Sequence, residues 1–299
     1  MMKLDGIATF VMVAESGSLS EAARRLRLSR SVVSERLAEL EREVGAILLR
    51  RTTRKLSLTE DGAAFLSRAS RIVREVEDAA AELAERRGEL VGPLRISAPV
   101  TFGRMHLGPA IYPFLAKHPE IRLMLELNDR RIDVAAEGYD AVVRHGPMPD
   151  SGLVAWHLAT SRRVLVASPG YLARHGTPAS PAELGAHRGI FYSNRGVEDW
   201  RFAGDDGATI VRGTFGLGLN NGDMMRDAAI AGLGIMHAPT FIVGDAIRAG
   251  QLQVIDIGVQ AEPETIYVAH PEGRHPSAKL RAFSDCLRSA FGDPPYWDA

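Results

Sequence analysis

Apolar residues at Ile7, Phe10, Val11 and Ala14 fall at i, i+3, i+4 and i+7 and predict a first helix with one buried face. The stretch "ESGS" breaks it, because Gly17 is free to turn left-handed. Ser18 with Glu21 three residues later reads as a capping box opening a short second helix, with Leu19, Ala22, Ala23 and Leu26 inward. After the turn at 27–29, Ser29 caps a third helix whose buried stripe is Val33, Leu37, Leu40 and Val44. At 100° per residue the opposite face carries Ser31, Ser34, Glu35, Ala38 and Arg42, with Arg30 on its flank. Residues 47–59 read as strand, basic tip, strand, with Leu48 and Leu49 on one side of the tip and Leu56 and Leu58 on the other. A long helix follows from Thr59. Phe65, Ala69, Ile72, Val76, Ala79 and Leu83 form a heptad seam on it, which implies helix pairing with a second copy or with another part of the chain.

Beyond Gly92 and Pro93 the pattern changes to alternating strands and helices, which predicts an α/β domain with a largely parallel sheet. The strands are 94–100, 121–128, 140–146, 162–168, 210–221, 234–239 and 265–271. Helices are expected at 102–119, 131–139 (short), from Ser180, at 222–232 and at 277–291.

Charge sharpens the picture. The net charge of −1 hides a gradient, with ten Lys/Arg against four Glu between Arg24 and Lys55, and five Arg against eight acids over 59–89. A polyanion partner therefore belongs to the first sixty residues. The single cysteine, Cys286, forms no internal disulfide and suits a reducing cytoplasm. No apolar run is long enough for a membrane span, and "IATFVMVA" reads as a core helix rather than a leader.

Two short helices at a sharp angle, the second presenting small polar residues and arginines, suit a major groove, where hydroxyls, arginine forks and carboxylates read base edges. Arg30 and Ser34 are the base-reading candidates, with Ser31, Glu35 and Arg36 beside them. Arg24 and Arg51 are expected to hold phosphates, and Arg51 or Arg54 to enter a minor groove from the wing. The plainer alternative is a helical hairpin with solvated arginines.

The stretch "FVMVAESGSLSEAARRLRLSRSVVSERLAELEREVGAILLRRTTRKLSLTEDG" and the long helix after it resemble the LysR-type transcriptional regulators. The resemblance extends over essentially the whole chain. Where the family commonly opens its recognition helix with Ser-Gln-Pro-Ala-Val-Ser-Arg-Gln, this chain has Ser29-Arg30-Ser31-Val32-Val33-Ser34-Glu35-Arg36. Ser29 and Ser34 match, whereas Arg30, Ser31, Glu35 and Arg36 depart, so base preferences do not carry over.

The resemblance implies an α/β protein with a winged helix-turn-helix at 1–58, a linker and dimerisation helix at 59–88, and a two-lobed effector-binding domain at 89–299. That domain resembles periplasmic solute-binding proteins. Lobe I is expected at about 94–161 and 266–292 and lobe II at about 162–265, with the ligand between them. The implied partners are double-stranded DNA bound as an interrupted palindrome, a small-molecule effector, and further copies in a homodimer and homotetramer. By resemblance, Val100, Thr101, Phe102, Asn128, Arg144, Asn220, Asn221 and His237 line the effector pocket. A helix start at Thr101 favours an anion, such as an organic acid. Each has a plain reading too: Asn128 as a cap, Arg144 in an ion pair, the two Asn in a turn, His237 as a structural histidine.

An enzyme reading finds little support. "GLGLNNG" (216–222) is one residue too long for a dinucleotide fingerprint. No nucleophile elbow, phosphate loop or paired metal-spaced histidines accompany it, so neither cofactor nor metal is expected. A ligand-binding module or small-acid enzyme whose N-terminal helices serve assembly is the alternative. The sequence leaves open the effector, the operator and the direction of regulation.

Overall fold

Ser18, Ser29 and Thr59 each accept a backbone N–H three residues on, and so open three helices of the N-terminal third. The computed structural model describes residues 2–51, 56–130, 132–147, 152–195, 200–204, 207–211, 213–262, 264–273 and 275–298, with the backbone alone at 51, 204 and 207–209. It divides into two compact units, Met1–Pro93 with Ala135–Gly138, and Leu94–Val134 with Tyr139–Ala299.

In the first unit, α1 (Leu4–Ser16), α2 (Leu19–Leu26) and α3 (Arg30–Val44) precede the hairpin of β1 (Leu49–Arg51) and β2 (Leu56–Leu58). The long α4 (Glu60–Glu85) follows. Gly17 closes α1 at φ 62°, as its position predicts. The tight turn after α2 instead places Arg27 in the left-handed region, at φ 55°. Phe10, Val33, Leu37, Leu40 and Leu48 form the core, with Val44 packed at its edge. Only half of the predicted capping box forms: Ser18 accepts from Glu21 N, but the Glu21 carboxylate binds Arg24 and Arg25. The seam on α4 also divides. Phe65 and Ala69 pack into the core, with Phe65 5.5 Å from the Phe10 ring, whereas Ile72, Val76, Ala79 and Leu83 are exposed.

The second unit holds two five-stranded sheets and a two-stranded ribbon of β9 (Arg201–Gly204) and β10 (Gly207–Ile210). One sheet has the order β4-β3-β5-β14-β6, from β3 (Gly92–Ala98), β4 (Ile121–Leu127), β5 (Ala141–Gly146), β6 (Leu153–Ser161) and β14 (Glu264–Pro271). The other has the order β11-β8-β12-β7-β13, from β7 (Arg163–Ala167), β8 (Arg188–Tyr192), β11 (Thr214–Leu219), β12 (Ile235–Pro239) and β13 (Gln253–Ile255). β6 ends one sheet at Ser161 and β7 opens the other at Arg163. Between the second and third strands of the first sheet's chain order, residues 134–138 form a turn, not the expected short helix. The sheets are mixed rather than largely parallel: β3 pairs parallel with β5, but β14 runs antiparallel to β5 and β6, and β12 and β13 run antiparallel to β7. Strands that carry the chain from one sheet to the other enter by the opposite end, which forces the antiparallel pairing.

The helix expected at 102–119 begins earlier and is interrupted. A single turn, α5 (Val100–Phe102), runs into a π-helical stretch, Gly103–Leu107, and then α6 (Gly108–Lys117). Single-turn π insertions of this kind re-aim side chains within a helix. The second sheet is accompanied by α8 (Pro181–Leu184) and α9 (Gly222–Ile230), at the expected positions, and by two helices beyond those expected, α7 (Pro169–His175) and α10 (Thr240–Arg248). The final helix α11 (Ala278–Phe291) leads to a short 3-10 turn, Tyr296–Asp298.

Candidate nucleic-acid interface and effector cleft

The N-terminal unit brings its candidates onto the outer side of α3. Arg30, Ser31 and Glu35 are exposed and Ser34 is half-buried. Ser29 accepts from Val32 N and lies 2.8 Å from the Ser31 hydroxyl, so both hydroxyls cluster at the positive end of the helix. Arg30 makes no ion pair among the described residues. Arg36 is different: half-buried, it pairs with Asp5 of α1 at 3.0 Å, which ties α3 to its scaffold. Arg24 is exposed but bound to Glu21 at 2.6 Å, and Arg24 and Arg25 together hold the Glu21 carboxyl down at about 2. A phosphate must therefore compete with that carboxylate for Arg24. The backbone of Arg51 ends β1, and Arg54 lies outside the described residues.

In the second unit the geometry groups several candidates and separates others. Asn128 Nδ2 and Arg144 Nη2 both donate to the Ser97 hydroxyl, at 3.3 and 3.1 Å. Asn128 also donates to Glu126. Burial presses the Arg144 pKa below its ordinary value, against the attraction of Tyr267 and Asp129. Val100 N donates to Asp129 Oδ1 at 3.1 Å; burial raises the Asp129 carboxyl although this amide and Arg144 oppose it. Thr101 Oγ1 donates to Asp223 Oδ2 at 3.2 Å, and Arg104 binds the same carboxylate. Burial disfavours the Asp223 anion, but Arg104, Arg226 and the Thr101 hydroxyl outweigh it and leave its pKa lowered. Asn194 Nδ2 donates to Asp129 O at 3.2 Å. The two lobes therefore meet at Thr101–Asp223 and at Asp129–Asn194.

Three expected pocket residues have other work. Phe102 is 1% exposed, and its ring meets those of Phe241, Phe291 and Trp297 edge-on, so it is a core residue. Asn221 caps α9, accepting from Met224 N at 3.0 Å, while Asn220 is exposed. His237 is buried on β12 with its ring stacked 5.0 Å from Phe202. Conversely Ser97, Arg104, Asp129, Asn194 and Asp223 were not singled out in the sequence. Asp223 carried a weak signal, as an acid in the first turn of a helix following two asparagines.

No described helix is long and apolar enough to cross a membrane, and no cluster of metal-binding side chains occurs among the described residues.

A three-helix unit with a hairpin wing, followed by a domain of two five-stranded sheets, defines the class of a winged helix-turn-helix regulator joined to an α/β domain. Residues 4–63 match the bacterial regulatory helix-turn-helix family named for LysR, and residues 87–292 match the LysR substrate-binding domain. The chain belongs to the LysR-type transcriptional regulators. It is 32% identical over 298 residues to an HTH-type transcriptional repressor of Pseudomonas aeruginosa, covering 99% of this chain and 94% of that protein. The full-length structure of AphB, a virulence activator of Vibrio cholerae, superposes with a TM-score of 0.60 at 27% identity, covering 96% and 99% of the two chains. That of CrgA from Neisseria meningitidis gives 0.57 at 31% identity, covering 96% of each. These relatives and others of similar identity are named as transcriptional regulators, which supports the regulator reading over the enzyme alternative.

Proposed function

We propose that this regulator binds an interrupted palindrome as a homodimer, assembling further to a tetramer, and that a small organic anion in the inter-lobe cleft controls it in the cytoplasm. Residues 1–58 serve as the DNA-binding module, 59–88 as the linker and dimerisation helix, and 89–299 as the effector-binding domain. The observation that carries the DNA reading is the outer face of α3, where Arg30, Ser31 and Glu35 stand exposed at the positive end of a helix thin enough for a major groove. In this reading Arg30 and Ser34 meet bases, Ser31 and Glu35 flank them, Arg36 braces the helix, Arg24 and Arg51 meet phosphates, and Arg51 or Arg54 enters a minor groove.

The anion reading is supported by the carboxylate of Asp223, already held by Thr101 and Arg104. An effector acid would use the same donors, with Asn128, Arg144 and Asn221 nearby and Val100 and His237 shaping the lobes.

Selection of bound duplexes from random-sequence DNA by the full-length protein tests the first part. Two inverted half-sites should emerge, and Arg30→Ala should relax one base position in each at a cost of roughly 1–3 kcal/mol. A single half-site, or equal weakening on specific and random DNA, would refute it. For the cleft, a thermal-shift screen of aromatic, keto- and hydroxy-acids should give hits that Thr101→Val weakens, since ligand binding raises stability by mass action. Hits unaffected by Thr101→Val and Asn128→Ala would place the ligand elsewhere.

A further inference from the structure

The wing is a very short hairpin. β1 and β2 contribute three residues each, in the register Leu49↔Leu58, Arg50↔Ser57 and Arg51↔Leu56. A two-stranded ribbon of this length has almost no stability of its own, so its direction must be imposed at its root. Two fixings meet there on one residue, Leu48.

The first fixing comes from α3. Glu41 Oε1 accepts from both Leu48 N and Leu49 N, at 2.8 and 3.1 Å. Hydrogen bonds to an ionised acceptor are about twice as strong as neutral ones. The second comes from the start of α4. Leu48 O accepts from Thr59 N at 3.0 Å, while the Thr59 hydroxyl donates chiefly to the neighbouring Ile47 O at 2.7 Å and lies 3.2 Å from Leu48 O. That hydroxyl also accepts from Gly62 N at 2.9 Å as the helix cap. Gly62 lets α4 come this close, since a Cβ there would fall inside the contact radius of Leu48 O. Leu48 itself is 1% exposed and anchored in the core.

We infer that Glu41 is a positioning residue for DNA binding: through Leu48 it fixes the angle of the wing to α3, with Thr59 and Gly62 fixing the same residue to α4. The inference rests on the reading of α3 and the wing as the DNA-binding surface. Neither a charge count nor a groove-facing periodicity singles Glu41 out, because its carboxylate is engaged by two backbone amides and acts through them. Its consequence is that Arg50, exposed on β1, reaches a phosphate only while the root is clamped.

The test measures binding of full-length protein to a duplex enriched from random-sequence DNA by the wild type, across a salt series. Each phosphate contact contributes about 0.9 to the slope of log affinity against log salt. Arg50→Ala should therefore flatten the slope by about that amount per module. Glu41→Ala should flatten it at least as much although the arginine is retained, Glu41→Gln should fall between, and Gly62→Ala should reproduce the loss independently. Far-ultraviolet circular dichroism identifies variants that remain folded, and Glu41→Gln, which keeps an acceptor oxygen, supplies the decisive comparison if Glu41→Ala does not fold. A slope lowered by Arg50→Ala but unchanged by Glu41→Gln and Gly62→Ala would overturn the clamp and leave the DNA surface standing. A slope unchanged by all of them would overturn both.

Discussion

Replacing Val76 with aspartate should dissociate the protein without unfolding it. On α4, Ile72, Val76 and Leu83 are 41%, 47% and 56% exposed and lie on one stripe with Ala79. Complete burial of such a side chain is worth about 1.5–3 kcal/mol, so covering the exposed half yields roughly 1 kcal/mol apiece. Three side chains on each of two paired helices then supply about 6 kcal/mol, some four orders of magnitude in the association constant. Val76→Asp removes that gain at two positions and adds two carboxylates to desolvate, each costing at least the roughly 1–3 kcal/mol of a neutral polar group. The dissociation constant should rise by at least about a thousandfold. Sedimentation velocity over a dilution series reads this directly, with Leu83→Asp as a second variant. Phe65→Ala, although on the same heptad seam, should lower the melting temperature and leave the dimer intact, because Phe65 packs on Phe10 within its own unit. An undiminished dimer in both aspartate variants would show that this stripe is not the interface.

Three further outcomes follow from local geometry. Ser29→Ala removes the cap of α3 and should cost about 1 kcal/mol in urea denaturation, with no cost expected if Ser31 takes over the role. Glu21→Gln frees Arg24 from its carboxylate partner and should tighten binding to random duplex DNA several-fold at low salt; unchanged affinity would exclude Arg24 as a phosphate contact. Glu264 is buried at the start of β14 beside His145, Arg163 and Arg195, and although burial opposes its ionisation these partners hold its pKa far below the ordinary 4.5. Because the folded-state pKa is depressed, the stability it contributes is complete above pH 4.5 and is lost as pH falls toward the folded value. Glu264→Gln should flatten that acid limb in thermal melts taken at successive pH, and an unaltered limb would assign acid sensitivity elsewhere.

What the sequence disclosed was mostly local. Ser18, Ser29, Thr59 and Gly17 act within a turn of their own position, so caps and breaks were readable from spacing. The stripe Val33, Leu37 and Leu40 was readable for the same reason. The heptad seam looked uniform because spacing alone does not distinguish Phe65, packed against Phe10 of α1, from Val76, which the described residues leave half exposed. In the larger domain the direction of pairing escaped the pattern, since β14 follows its partners β5 and β6 by more than a hundred residues and strand alternation carries no sign of direction. β6 was not read at all: His157 and Trp156 interrupt its alternation. The cleft was least legible. Thr101 and Asp223 are 122 residues apart and Val100 and Asp129 are 29 apart, so the acids that satisfy these donors look like ordinary loop and helix-start residues until the chain is folded.

The engaged state of those donors changes what an affinity measured at this cleft would mean. Thr101 and Arg104 are not vacant but hold Asp223, and Val100 N holds Asp129. An incoming acid would exchange one carboxylate for another, with the number of donor contacts nearly conserved, so little net energy would come from the charge itself. Discrimination among acids would then fall to whatever each carries beyond its carboxylate, while the displaced Asp223, mounted on α9, would convert chemical occupancy into a shove on the opposite lobe. The cleft would weigh its visitors against a resident.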